Sequence, residues 1–208
     1  MHIKRLTGGI CHANSYIVFK ENSDCAVMFD SCGCNDKILK YLNNNNLKLK
    51  AVLLSHGHFD HIDGLKDLKE FTCADIYIYG TEEKFLDDIS LNLSEDMNFS
   101  ANSIKKADYL FNDGDVIDVA GMKIEIIHTP GHTSGSVCFK CGDCIFTGDT
   151  LFKSSIGRFD FPTGDGETEI KSIKEKLLVL DEYIKVYPGH GFSTTIGAER
   201  EANPYFFG

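Results

Sequence analysis

Apolar positions along the chain recur with two different periods, and together they predict alternating strands and helices. NSYIVF (14–19) and CAVMFD (25–30) are short runs rich in β-branched and aromatic residues, separated by the polar KENSD, and predict two strands. NDKILKYLNNNN (35–46) spaces Ile38, Leu39 and Leu42 as on one side of a helix. KAVLLSH (50–56) predicts a buried strand, DGLKDLKEF (63–71) a helix, ADIYIYG (74–80) a strand, and TEEKFLDDI (81–89) a helix capped by Thr81. From Ser90 to Lys106 the chain is polar without a period, which predicts a loop or a mobile lid. Strands resume at GDVIDV (114–119), MKIEIIHTP (122–130), GSVCFK (135–140) and CIFTGDTLF (144–152). DGETEIKSIKEKLLVL (165–180) predicts a helix with Ile170, Ile173, Leu177 and Leu180 on one face, and IKVYPGHG (184–191) a last strand. No Pro- or Ser-rich linker divides the halves. The expected architecture is therefore one α/β domain over residues 1–208, with two sheets packed face to face and helices outside.

Charge and composition narrow the function classes. The net charge is −10, which argues against a nucleic-acid partner, since binding a polyanion needs clustered Lys and Arg. No run of 18 apolar residues predicts a membrane span, and the N-terminus lacks an apolar stretch with a cleavage site, so a cytoplasmic location is expected. Eight cysteines are then expected to be reduced thiols. Cys138, Cys141 and Cys144 have a spacing that suggests metal, but SVCFKCGDCIF reads better as a hairpin turning at Gly142-Asp143, which separates the thiols. Cys32 and Cys34 sit in a turn close in sequence to Asp30, where a redox or ligand role is the minor reading.

Chemistry concentrates where strands end. SHGHFDHIDG puts His56, His58, Asp60 and His61 directly after an apolar strand. Such loops at strand ends are where sites are built on α/β scaffolds. Imidazole nitrogens and carboxylate oxygens suit zinc or iron, yet a close H-x-H pair needs further ligands to surround an ion. Three more strands supply them: His132 in HTPGHTSGS, Asp149 in IFTGDTLF and His190 in KVYPGHG. Gly or Pro beside most of these positions lets the backbone turn sharply.

The string H-x-H-x-D-H followed by a downstream His, Asp and His resembles the metallo-β-lactamase superfamily, and more closely the glyoxalase II-like hydrolases. NSYIV, FDSCG, TPGHTSGS, FTGDTLF, GRFDFPTGD and YPGHG extend the resemblance over nearly the whole chain. It implies an αββα four-layer sandwich and two divalent metal ions, zinc before iron or manganese. His56, His58 and His132 would hold the first ion, Asp60, His61 and His190 the second, with Asp149 bridging; Asp60 and Asp149 would be the catalytic carboxylates. The implied activity is hydrolysis of a small thioester of the hydroxyacylglutathione type, or a related ester, by a metal-activated water. The chain lacks the C-terminal helical extension with which glyoxalase II contacts glutathione, so an open, weakly selective site is expected. Two other classes resemble it less: a mononuclear iron enzyme of the persulfide dioxygenase type, and a non-enzymatic metal-binding domain. Asp30 is expected to accept hydrogen bonds from ligand histidines or loop backbone, or else to cap a turn. Arg158 is expected to brace its loop through Asp160 rather than bind substrate, and Phe152, Phe159 and Phe161 to line a pocket or the core.

Overall fold

A computed structural model describes residues 1–206. The first half runs β1 His2–Gly8, β2 Ala13–Phe19, β3 Cys25–Phe29, the two-residue β4 Ser31–Cys32, α1 Asn35–Asn44, β5 Lys48–Leu53, α2 Phe59–Ile62, α3 Leu65–Thr72, β6 Asp75–Tyr79 and β7 Tyr109–Phe111. The second half runs β8 Val116–Val119, β9 Met122–His128, β10 Val137–Cys141, β11 Cys144–Gly148, β12 Leu151–Phe152, β13 Ser155–Ile156, α4 Gly166–Ser172, β14 Lys185–Pro188, β15 Thr194–Thr195 and α5 Ile196–Ala202. Two six-stranded sheets result, ordered β1-β2-β3-β5-β6-β7 and β15-β14-β11-β10-β9-β8.

Strand alternation divides the apolar residues into three buried layers. Val27, Phe29, Ala51 and Leu53 of the first sheet face Ile124, Ile126, Phe139 and Phe146 of the second. Their neighbours Ala26, Met28, Val52 and Leu54 turn outward onto Ile38 and Leu42 of α1 and Leu65 and Leu68 of α3. On the far side Cys138, Ile145 and Val186 meet Ile173, Leu177 and Ile196. This is the expected αββα four-layer sandwich. None of the described helices is long and apolar enough to cross a membrane.

Two local expectations change, over 81–89 and 165–180. The segment 81–89 is not a capped α-helix but a 3-10 helix, Gly80–Leu86, preceded by Tyr79 and without a side-chain cap. Thr81 does not cap it; the turn tightens so that Glu82 can bury its carboxylate among backbone amides. The helix predicted over 165–180 begins as α4 behind an Asp165 cap, passes into a π-helical turn at Ile173–Leu177 and ends there. Its apolar face is as expected, with Ile173 and Leu177 fully buried. Residues 90–106 form the expected loop, packed on the body: Asn92 O accepts from Phe59 N, 2.9 Å, and Asn102 O from Lys66 N, 3.2 Å. Strand β1 carries no clear alternation, and only its pairing with β2 along the whole length makes it a strand. The hairpin at Gly142-Asp143 is present, with Cys141 opposite Cys144. Its thiols divide, Cys138 facing the outer helices and Cys141 and Cys144 the space between the sheets.

Candidate metal centre

Strands β3 and β5 run parallel in one sheet, and β11 and β14 run parallel in the other. β9 pairs antiparallel with β10, and β10 with β11, so β9 shares the direction of β11. The loops after β5, β9, β11 and β14 therefore leave matching sheet edges, and each brings its candidate residues to one place. Cross-sheet hydrogen bonds hold those edges together: Tyr16 Oη donates to Pro188 O, 2.7 Å, and Val137 N donates to Ser55 O, 2.9 Å. The close approach dictates glycine at 189, where a Cβ would lie 2.2 Å from Asp149 Oδ1 and 2.6 Å from His61 Cε1.

All seven residues singled out as ligands converge. His56, His58 and His132 form one group whose donor atoms lie within 4.8 Å of one another, and Asp60, His61 and His190 form another. Within the first, His132 Nε2 stands 3.2 Å from His56 Nε2 and 2.9 Å from His58 Nδ1. Within the second, His61 Nε2 is 3.3 Å from His190 Nε2, which is 3.3 Å from Asp60 Oδ2. Asp149 reaches both groups: Oδ1 lies 3.2 Å from His61 Nε2, and Oδ2 lies 3.8 Å from His132 Nε2.

Their outer hydrogen bonds determine which nitrogen is bare. His132 Nδ1 lies 2.6 Å from the Arg158 carbonyl, which can only accept, so Nδ1 carries the proton. Asp30 Oδ2 accepts from His61 Nδ1, 2.9 Å, and from Ser55 Oγ, 2.8 Å. The Ser55 hydroxyl hydrogen is thus directed at Asp30, and its 3.0 Å bond to His56 must be donated by His56 Nδ1. Asp30 Oδ1 also accepts from Ser55 N, 2.7 Å, and the residue adopts a left-handed φ of +56° to reach all these donors. Asp30 thus accepts from both a histidine and the loop backbone, as expected from the sequence. His56, His61 and His132 present Nε2 inward, the tautomers that a metal requires.

Charge follows the same division. Burial keeps His56, His58 and His132 below the usual imidazole range, hence neutral. Burial opposes charge on His61 and His190 as well, but Asp149 and Asp60 outweigh it, lifting His61 well above the ordinary value and His190 to about 10. Burial likewise opposes ionisation of Asp149, and His61 and His190 overcome it to hold the carboxyl well below its usual range. The carboxylates thus draw positive charge to this spot. His58 Nε2 and Asp149 Oδ1 are buried without a well-formed hydrogen bond, a cost that coordination of a cation by these side chains would relieve. Neutral nitrogens of His56, His58 and His132 beside ionised carboxylates that draw positive charge fit divalent metal ions.

Above the cluster lies a cavity of about 390 Å³ walled by Leu93, Met97, Phe152, Phe161, Arg158 and Cys11. Leu93 and Met97 come from the segment expected to be a loop or lid. Phe152 and Phe161 line the cavity, whereas Phe159 does not and is 40% exposed. Arg158 forms a two-pronged pair with Asp160 at 2.9 and 2.8 Å and lies over the Phe161 ring, so it braces the loop.

Three supporting residues carried no sequence signal. Glu82 is fully buried and accepts from Gly57 N, 3.0 Å, and Gly135 N, 2.9 Å, clasping the loop of His56 and His58 to that of His132. Ser55 looks like any loop serine until its bonds are traced. Glu169 is fully buried behind Asp149 with neither oxygen well hydrogen-bonded. Burial first, then the charge of Asp149, pushes its carboxyl up to about 9, offset only in part by the Gly157 amide.

A sequence profile of the metallo-beta-lactamase superfamily matches residues 8–190. Hydroxyacylglutathione hydrolase GloC of Haemophilus influenzae is 35% identical over 195 residues, covering 92% of each chain. The crystal structure of BLEG-1 B3 metallo-beta-lactamase superposes with a TM-score of 0.95, at 33% identity and full coverage of both chains. TTHA1623, solved in a di-iron-bound form, superposes with a TM-score of 0.87 at 29% identity, covering 97% of this chain and 99% of that one. Fold, clustered His and Asp side chains and sequence agree: the chain belongs to the metallo-beta-lactamase superfamily.

Proposed function

We propose that the protein hydrolyses a small thioester of the hydroxyacylglutathione type, or a related ester, with two divalent metal ions, zinc the best match to the donors. One observation carries this reading: two groups of inward-facing nitrogen and oxygen atoms share Asp149 beneath an apolar-walled cavity. His56, His58 and His132 would hold one ion and Asp60, His61 and His190 the other, with Asp149 touching both. Cations so held lower the pKa of a water and polarise a carbonyl. The side chains do the rest. Asp30 and Ser55 fix the imidazole tautomers, and Glu82 keeps the two histidine loops in register. Asp60 and Asp149 line the cavity floor, where their carboxylates orient an attacking water. Phe152, Phe161 and Leu93 shield an acyl chain from solvent. A thiolate departs without protonation, so the cavity wall need not supply an acid. The hydroxyacylglutathione hydrolase activity named for the Haemophilus relative supports this substrate class.

Elemental analysis of protein purified without added metal, combined with a panel of small thioesters, tests the reading. Close to two metals per chain is expected, with turnover abolished by chelation and restored by zinc. Reproducibly one iron per chain, with no thioester cleaved and oxygen consumed on a persulfide, would replace it with the dioxygenase class.

A further inference from the structure

Two thiols lie outside the metal centre, and the hydrolytic reading leaves them unused. Cys32 and Cys34 flank Gly33, whose φ of +70° turns the chain so that the two sulfurs stand 3.4 Å apart. Cys32 N donates to Ser15 Oγ at 3.0 Å, which leaves the Ser15 proton free to donate to Cys32 Sγ at 3.1 Å. The Cys32 sulfur therefore faces an O–H and an S–H, both of which favour its thiolate. The S–H···S bond holds the Cys32 thiol below the usual thiol range and pushes Cys34 up. The hairpin cysteines differ in kind: burial pushes Cys138, Cys141 and Cys144 all upward.

The pair is reachable from one side. Cys34 is 8% exposed and lines an open cleft of about 510 Å³ together with Gly8, Gly9, Gly33, Asn35 and Lys37. Residue 8 must be glycine for the cleft to meet the thiols, since a Cβ there would fall 2.6 Å from Cys34 Cβ and 3.3 Å from Cys32 Sγ.

We propose that Cys32 and Cys34 form a dithiol–disulfide site that is oxidised by a low-molecular-weight disulfide entering the cleft beside Gly8. Cys34 passes its proton across the S–H···S contact to the Cys32 thiolate, and the Cys34 thiolate attacks one sulfur of the disulfide. The S–S bond of the oxidant breaks, and the first thiolate leaves and takes the proton now on Cys32. Cys32, again a thiolate, then attacks the Cys34 sulfur, forms the Cys32–Cys34 bond and expels the second thiolate, which takes a proton from water. The protein sulfurs lose two electrons and two protons, and the oxidant becomes two thiols. The sulfurs need close only from 3.4 Å to the disulfide length of about 2.05 Å. Their segment is laced to the end of α2, because Asp63 O accepts from Gly33 N at 3.0 Å and from Ser31 Oγ at 2.5 Å.

The experiment incubates the metal-loaded protein with oxidised glutathione, quenches in acid, denatures, alkylates and maps peptides by mass spectrometry. Cys32 and Cys34 should escape alkylation together, in a peptide two hydrogens lighter, while Cys25 in the same peptide stays alkylated; reduced glutathione should reverse the change. The C32S variant should stop at a glutathione adduct on Cys34, and C34S should slow modification of Cys32 at least tenfold. Alkylation of both Cys32 and Cys34 after the exposed Cys73 is fully glutathionylated would overturn the proposal, as would a bridge from either to Cys25. If C32S does not fold, the wild-type time course decides: a glutathione adduct on Cys34 must precede the bridge.

Discussion

Replacing Glu169 with Gln removes one proton-binding group from the protein's interior and leaves its shape nearly unchanged. The structure gives the magnitude. In the unfolded chain this carboxyl ionises near its ordinary value of 4.5, whereas in the folded protein burial and the neighbouring Asp149 charge move it to about 9. Between those values the folded protein holds one proton that the unfolded chain has released. Stability from this group is therefore complete below the unfolded value and falls as pH rises toward the folded one, by about 1.4 kcal/mol per pH unit. From pH 6 to pH 8 the wild type should lose about 2.7 kcal/mol relative to Glu169→Gln. The buried amide has a cost of its own, but that cost does not vary with pH and cancels from the slope. Urea unfolding of both proteins at pH 6, 7 and 8, each stripped of metal by a chelator so that the Asp149 charge is uncompensated, measures the difference. Parallel stability curves, with a gap that stays constant across the three pH values, would show that Glu169 is ionised in the folded protein and would refute the assignment.

Asp149→Ala should lower the content of both metals and reduce thioester turnover by at least about a thousandfold, comparable to losing a principal electrostatic group; wild-type turnover and metal content would remove its bridging role. Asp30→Asn keeps the volume but exchanges an acceptor for a donor facing His61 and Ser55, and should weaken metal binding about 10–100-fold in chelator competition. Glu82→Gln turns an N–H toward one of the two amides it now accepts from and should cost about 1–3 kcal/mol in urea unfolding, with unchanged stability counting against the clasp. The described cavity lining is mostly apolar and its Arg158 is already paired with Asp160, so lactoylglutathione and the lactoyl thioester of a minimal thiol should be cleaved with similar kcat/KM. A thousandfold preference for the glutathione form, about 4 kcal/mol of transition-state binding, would refute this expectation.

Strand and helix periods, and chemistry placed at strand ends, were written in the sequence. Val27 and Phe29 alternate with Ala26 and Met28, and each set found its own layer, in keeping with the two sheets and outer helices that the apolar faces required and the αββα order that the resemblance implied. His56, His58, Asp60 and His61 were conspicuous because one short loop holds so many metal-binding groups. That His132, Asp149 and His190 complete two groups around a shared carboxylate was inferred from resemblance, and only the parallel directions of the strands bring their loops to one edge. The supporting residues were not legible. Glu82 lies in the first turn of what was predicted as a helix capped by Thr81, and its role depends on Gly57 and Gly135, neither of them near it in sequence. Ser55 matters through its bonds to Asp30 and His56, which exist only once β3 and β5 lie side by side, whereas the role of Asp30 itself was expected from its place at a strand end. Glu169 falls in a helix with the pattern of a surface carboxylate, and packing against Gly131 buries it. Local periodicity is a property of neighbouring residues, so the sequence carries it. The proton on each histidine, the protonation of a buried acid and the pairing of two thiols depend on groups that only the tertiary structure brings together.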